Sequence, residues 1–154
     1  MIPNKNQLIQ ARERIQPYIH QTPVLCSKSI NEIVGAKMYF KCENFQKMGA
    51  FKMRGAANAL LQLSEAQKLK GVTTHSSGNF AQAVALSAKL TGTKATIVMP
   101  NNAPAVKKKA VIGYGATVID CEPTLEAREN TAQRVVNETG ATLLHPYNCY
   151  NVIA

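Results

Sequence analysis

The sequence predicts an α/β fold in which an open, twisted parallel sheet carries helices on both faces. Short strand-like runs near 72–75, 95–99, 116–120 and 142–145 alternate with helical patterns near 54–63, 79–91, 104–113 and 124–139. This alternation is typical of strand–helix–strand units, whose crossovers are right-handed in about 98% of cases. We therefore expect a binding crevice at the carboxyl ends of the strands.

Two of these runs, 95–99 and 116–119, are nearly continuous and apolar, as expected of parallel strands buried on both faces. Pro104 is expected at the first position of one helix, and Thr124 is expected to cap the next one. The ends of the helices are predicted at glycines, which adopt a left-handed conformation at the lowest cost. These glycines are Gly92, Gly115 and Gly140.

The N-terminal region is less regular. A helix is predicted from about residue 6 to residue 14, stopping at Pro17, and an extended linker follows it. Within the linker, Thr22 precedes Pro23 and is therefore biased toward turn or edge-strand conformations. The next predicted element is a strand over residues 37–42.

Length and composition limit the class of protein. The 154 residues, 45% of them apolar, suffice for the core of one ordinary domain. The sequence has no apolar run of about 18 residues, and its first residues lack the layout of a signal peptide. We therefore expect a cytoplasmic protein without a membrane partner.

The formal net charge of +9 raises the hypothesis of an anionic partner such as nucleic acid. The basic residues are mostly dispersed, and the one cluster, at 107–109, lies in a helical pattern and is expected to be a solvated face. Because no motif for reading nucleic acid accompanies the cluster, we expect no such partner. Nucleic-acid binding remains a competing hypothesis that predicts an affinity falling steeply with salt.

The candidate metal ligands show no metal-binding spacing. The cysteines contain no CxxC pair, so most are expected to be buried thiols. The histidines are likewise expected to be structural, and Arg128 and Asn130 to lie on the surface. We therefore predict no metal site. The residues in question are Cys26, Cys42, Cys121, Cys149, His20, His75 and His145.

Two short segments combine reactive and polar side chains. Lys52 lies between Phe51 and Met53, where the chain enters an alanine-rich helix, and a lysine amine is the group that reacts with a carbonyl cofactor. The second segment, the serine turn, joins a strand to a helix, whose free amides and dipole favour a carboxylate or phosphate. The serine turn consists of Ser76, Ser77, Gly78 and Asn79.

Together the two segments resemble those of the fold-type II pyridoxal phosphate enzymes, the group of serine racemase and the serine and threonine dehydratases. The resemblance implies a tryptophan synthase β-like fold, pyridoxal 5'-phosphate as cofactor, and a Schiff base at Lys52. It implies that Phe51 packs on the cofactor ring and that Asn79 bonds its phenolic oxygen. It also implies that the serine turn holds the substrate carboxylate.

The implied reaction is the dehydration of a hydroxy amino acid to a keto acid and ammonia, with Lys52 moving the Cα proton. By resemblance, Ser77 occupies the position of the second acid or base of serine racemase, so racemisation remains an alternative. A folded module without cofactor is a further alternative. A serine hydrolase is disfavoured because Ser77 has no GxSxG motif and no positioned base.

The sequence also departs from the family pattern. Phe80 stands where a histidine is usual, and Ala50 where a serine is frequent. No two glycines are adjacent, so the glycine-rich phosphate loop has no counterpart. The resemblance covers roughly the first half of such enzymes, and we expect a fragment that binds the cofactor weakly or not at all by itself.

The resemblance also implies a division into domains. Residues 1–52 are expected to form the N-terminal part of the large cofactor domain, and 53–146 the small αβ domain. Residues 147–154 are expected to begin the remainder of the large domain. The intact protein is expected to be a homodimer.

Overall fold

The computed structural model describes residues 2–154, which form eight α-helices and six strands. The helices are α1 Lys5–Ile15, α2 Lys28–Val34, α3 Lys52–Leu61, α4 Glu65–Lys70, α5 Asn79–Thr91, α6 Ala105–Gly113, α7 Leu125–Thr139 and α8 Tyr150–Ile153. The strands are β1 Val24–Leu25, β2 Phe40–Lys41, β3 Val72–His75, β4 Ala95–Pro100, β5 Thr117–Cys121 and β6 Thr142–Leu143. Single 3₁₀ turns lie at Gln16–Tyr18, Glu43–Phe45 and Lys47–Gly49.

The main sheet has four parallel strands in the order β5-β4-β3-β6. After β5 the chain returns past β4 and β3, so β6 pairs with β3 although 70 residues separate Thr142 from its partner Val72. This reversal brings the carboxyl ends of β3 and β6 together, which is where an open α/β sheet binds its ligands. A separate antiparallel pair joins β1 to β2.

Helices cover both faces of the sheet, which confirms the predicted fold class. On one face α3, α5 and α6 enclose the main core, built around residues such as Leu60, Val84 and Ile97. On the other face α7 packs alone, through Ala132 and Val135 against Val98 of β4. Small alanines on α3 and α5 let these two helices approach each other closely.

Most of the predicted helix limits are confirmed. The side chain of Thr124 accepts the amide of Ala127, and Gly92 and Gly140 end their helices with φ angles of 66° and 71°. Gly115 is also left-handed, with a φ of 90°. Pro104 is the N-cap residue and lies one position before the predicted one.

Several details of the prediction are wrong. The linker contains α2, which Ser27 caps and Gly35 ends with a φ of 66°, and a second unpredicted helix, α4, begins at Ser64 with a capping box. The strand predicted over 37–42 is reduced to Phe40–Lys41. β5 is an exposed edge strand and is not buried on both faces.

Two surface predictions are also corrected. None of the four cysteines is buried: Cys26 is exposed, while Cys42, Cys121 and Cys149 are half-buried. The basic cluster at 107–109 is only partly solvated, since Lys108 pairs with Asp120 at 2.6 Å and Lys107 bonds a side chain of the serine turn. In residues 2–154, no helix is both long enough and apolar enough to cross a membrane.

Candidate active site

Lys52 is the first residue of α3, and the turn before it fixes its direction. Within Lys47–Gly49, Met48 has a φ of 55°, a left-handed conformation that costs a non-glycine residue about 1–2 kcal/mol. Met48 packs against both the main core and the smaller core formed by α1 and α3, which offsets this cost. The amine Nζ of Lys52 donates to the carbonyl oxygen of Pro146, just after β6, at 3.0 Å.

Two aromatic rings flank the amine. Nζ lies 5.2 Å from the centre of the Phe51 ring and 5.7 Å from that of Phe80. Phe80, which stands where the family usually has a histidine, is only 3% exposed. Its ring forms an apolar wall beside the amine. Phe51 is 58% exposed, and its ring offers an uncovered flat face beside Lys52.

The serine turn links β3 to the 13-residue helix α5. The amide of Ser76 donates to Val98 at 3.0 Å, and its hydroxyl accepts the amide of Gly78 at 3.3 Å. A Cβ atom added to Gly78 would meet nothing within 4 Å, so the space above this backbone is open. Asn79 begins α5, and its Oδ1 accepts a hydrogen bond of 2.7 Å from Lys107 of α6.

The two predicted segments line one cleft. Its volume is about 340 Å³, and its walls include all the predicted site residues, Phe51, Lys52, Ser76, Ser77, Gly78 and Asn79. A neighbouring hollow of about 470 Å³ shares Phe51 and Lys52 and continues toward α8. Lys52 thus lies between two concave spaces, each within the size range of small-molecule sites.

Three further residues meet at this edge of the sheet. His75 ends β3, His145 follows β6, and Glu129 lies on α7; their ligand-type atoms all lie within 4.8 Å of one another. The two imidazole rings are 5.2 Å apart and nearly perpendicular. Burial, and then the neighbouring His145, lowers the pKa of His75, while Glu129 acts in the opposite direction.

Neither the histidine pair nor the role of Arg128 was expected from the sequence. Arg128, predicted to lie on the surface, is half-buried and lines the cleft; its Nε donates to the carbonyl of Thr124 at 3.1 Å. The two histidines lie at the carboxyl ends of neighbouring parallel strands, and Arg128 lies on α7 opposite these ends. This position is the signal that could have located them.

The residues of the cleft fit part of a pyridoxal phosphate site. They offer an amine for an aldehyde, an exposed aromatic face for a planar ring, and the free amides at the start of α5 for an anion. The glycines of the described chain are separated, so a glycine-rich phosphate loop is not among residues 2–154. The fit therefore concerns the ring and the substrate side of the cofactor.

Known proteins match almost the whole chain. Residues 15–154 match the family described as "Pyridoxal-phosphate dependent enzyme". Serine racemase from Dictyostelium discoideum is 50% identical over 145 residues, 94% of this chain and 45% of that protein. The β-hydroxyaspartate dehydratase of Paracoccus denitrificans is 48% identical over 153 residues, 99% of this chain and 49% of that protein.

The solved structure of maize serine racemase superposes with a TM-score of 0.96 at 50% identity, covering 99% of this chain and 46% of that chain. The chain spans about half the length of the curated relatives it matches. The parallel α/β fold, the cleft that contains Lys52 and the matches to known proteins all indicate the same family. The chain belongs to the pyridoxal-phosphate dependent enzymes of fold-type II, the family of the serine racemases and hydroxyaspartate dehydratases.

Proposed function

We propose that this chain carries the lysine and the carboxylate seat of a pyridoxal-phosphate-dependent dehydratase, an ammonia-lyase that converts a hydroxy amino acid to a keto acid and ammonia. The observation that supports this most directly is that Lys52 and the serine turn line one cleft of about 340 Å³. The family membership supplies the cofactor, and the dehydratase of Paracoccus denitrificans supplies a precedent for the reaction.

Three residues of the cleft are suited to hold the cofactor. Lys52 would bind its aldehyde carbon through Nζ, Phe51 would cover one face of its ring, and Asn79 would bond its phenolic oxygen. Because Lys107 already donates to Oδ1 of Asn79, the Nδ2 group is the part of this amide that remains free to donate. When bound, the cofactor supplies an electron sink for negative charge at the substrate Cα.

The serine turn would orient the substrate. The amides at the start of α5 and the open backbone at Gly78 suit a carboxylate, which the positive end of the helix dipole also favours. Lys52 Nζ, close to this seat, would take the Cα proton. Loss of the β-hydroxyl and hydrolysis then give the keto acid and ammonia.

Racemisation is the second candidate, and Ser77 favours it. A racemase needs proton-transfer groups on both sides of Cα, and the Ser77 hydroxyl lines the same cleft as Lys52. Serine racemases are also among the relatives at about 50% identity. Loss of racemisation with retained ammonia release in Ser77→Ala would assign Ser77 to the second proton transfer; equal loss of both activities would count against that role.

A third candidate is an αβ module without catalytic activity. The absence of adjacent glycines in the sequence favours this candidate. We further propose the division 1–52, 53–146 and 147–154. The hydroxyl of Tyr150 in α8 donates to the side chain of Gln7 in α1 at 2.6 Å, a direct contact of the first and last segments that supports their common domain. A homodimer of the whole protein belongs to the same proposal.

The proposal is tested by trapping the lysine. The chain, alone and combined with the C-terminal half of a fold-type II relative, is incubated with pyridoxal phosphate, reduced with borohydride and mapped by mass spectrometry. We expect Lys52 to carry the label, and Lys52→Ala to lose both the label and the visible absorbance of bound cofactor. Lys47→Ala, which removes a half-buried lysine five residues earlier, is the matched control and keeps both. Labelling spread over surface lysines, with none enriched at Lys52, would reject the assignment.

A further inference from the structure

The carboxyl ends of β3 and β6 and the middle of α7 bring two imidazoles and one carboxylate together. His75, His145 and Glu129 offer one ligand-type atom each, and all three atoms lie within 4.8 Å of one another. The proposed reaction uses none of these three side chains. The cluster adjoins the cleft, because His75 lines its wall directly before the serine turn.

His75 provides an independent sign of a missing partner. Its side chain is 97% buried, since the residue is only 3% exposed, and its Nε2 atom has no hydrogen-bond partner. An imidazole nitrogen without a partner in the interior loses its hydration and gains nothing in return, at a cost of about 1–3 kcal/mol. A ligand that accepts the lone pair of this nitrogen would remove the deficit.

The geometry points to a site for a divalent transition-metal ion of the zinc type, bound by His75, His145 and Glu129. Two imidazole nitrogens and one carboxylate oxygen suit zinc, cobalt or nickel, whereas magnesium and calcium prefer sets made of oxygen alone. The three groups would leave a fourth position open toward the cleft. This site is independent of the pyridoxal phosphate function.

Binding a metal ion requires the three ligand atoms to move slightly closer together. In tetrahedral zinc the ligand atoms lie about 3.4 Å apart, which follows from metal–nitrogen distances of about 2.1 Å. The exposed Glu129 carboxylate and the half-buried His145, on the loop after β6, can supply this movement, while the buried His75 serves as the fixed ligand. The positive charge of Arg128 also faces His75 and disfavours a bound cation. The negative charge of Glu129 is therefore needed to offset this repulsion.

The environment of His145 fixes its starting tautomer. Its Nδ1 faces the backbone amides of Asn148 and Tyr147 at 3.0 and 3.4 Å, so this nitrogen is an acceptor and the proton resides on Nε2. Binding a metal through Nε2 moves that proton to Nδ1 and gives up the two amide contacts. His145 therefore turns as the site closes, and its imidazole stays neutral.

The test is titration calorimetry of the whole chain with zinc chloride. We expect one zinc ion per chain. Glu129→Gln, at an exposed position that leaves the core intact, should weaken binding at least about tenfold. His75→Asn and His145→Asn should do the same, and Glu126→Gln, an exposed carboxylate one turn earlier on α7, should change nothing.

The four free cysteines could bind zinc elsewhere, so a second probe identifies the ligands. Cobalt(II) bound by nitrogen and oxygen gives visible absorption without the strong near-ultraviolet band that thiolate ligands produce. We expect the visible band alone, reduced in Glu129→Gln, with circular dichroism showing that the variant is folded. A thiolate band, no stoichiometric binding, or equal affinity in Glu129→Gln and Glu126→Gln would each overturn the site.

Discussion

The side chain of Asn58, in α3, donates from Nδ2 to the backbone carbonyl of Asn151, in α8, at 2.8 Å across 93 residues of chain. Asn58 is 1% exposed, and its Oδ1 accepts a hydrogen bond from the guanidinium of Arg14 in α1. One buried amide therefore connects the first and last helices to the helix that begins with Lys52.

Replacing Asn58 by alanine should destabilise the protein by about 2–3 kcal/mol, because it leaves a guanidinium and a carbonyl without partners. Urea denaturation measures the change. Asn137→Ala removes an amide of the same type from an exposed position on α7 and should cost less than about 0.5 kcal/mol. Similar losses in the two variants would show that the buried connection contributes little.

Gly55→Ala should displace α8. A Cβ atom at position 55 would collide with the carbonyl oxygen of Val152 and approach its side chain to 3.1 Å. We expect a loss of about 1–3 kcal/mol, and faster hydrogen exchange in residues 150–154. Gly113→Ala, at the end of α6 where the added Cβ meets nothing within 4 Å, should be neutral or stabilising by up to about 1 kcal/mol. Unchanged exchange in α8 would contradict the close approach.

The pair of Glu43 and Arg54 should contribute an acid-sensitive part of the stability. Arg54 bonds both oxygens of Glu43, at 2.7 and 2.8 Å, and this contact lowers the carboxyl pKa against the opposing effect of burial. The contribution is therefore present above the unfolded pKa of about 4.3 and is lost as pH falls through the lower folded value.

Arg54→Met should reduce stability at pH 7 by about 1–2 kcal/mol, a modest loss because both partners are partly exposed. The same variant should flatten the acid limb of a stability–pH curve. Glu65→Gln breaks the exposed pair with Lys68 and should cost less than about 0.5 kcal/mol. An acid limb of equal slope in Arg54→Met would assign the acid sensitivity to other groups.

His75 should make the protein less stable just below neutral pH. Its folded pKa is lowered by burial and by His145, so the unfolded chain takes up a proton first, near pH 6.5. Stability is thus full above about pH 6.5 and falls as pH falls through the folded value. His75→Asn should remove this slope between pH 5 and 8, measured with a chelator present, whereas His20→Asn at an exposed position should retain it.

Local patterns predicted the central elements well and the sheet edges poorly. The run at 95–99 became the buried strand β4, and α5 begins and ends where the serine turn and Gly92 predicted. The run at 116–119 is as rich in β-branched residues as β4, yet β5 lies at the edge. The position of a strand in the sheet depends on which neighbours pair, and that information is not local. α2 was missed because short capped helices lack a clear apolar period.

For the site, the sequence predicted residues that lie next to strand ends, but it did not predict their partners. Lys52 and the serine turn were identified from their segments. Pro146 and His145 approach them only because β6 pairs with β3 through Val72 and Thr142. The sequence predicts a solvated Lys107, because charge alone does not indicate what a long side chain will reach.

The bond from Lys107 to Asn79 has a consequence for the shape of the cleft. It joins α6 to the first residue of α5, and Asn79 lines the cleft. Because the ammonium group of Lys107 holds Oδ1, the orientation in which the Asn79 amide faces the cleft depends on a residue outside its walls.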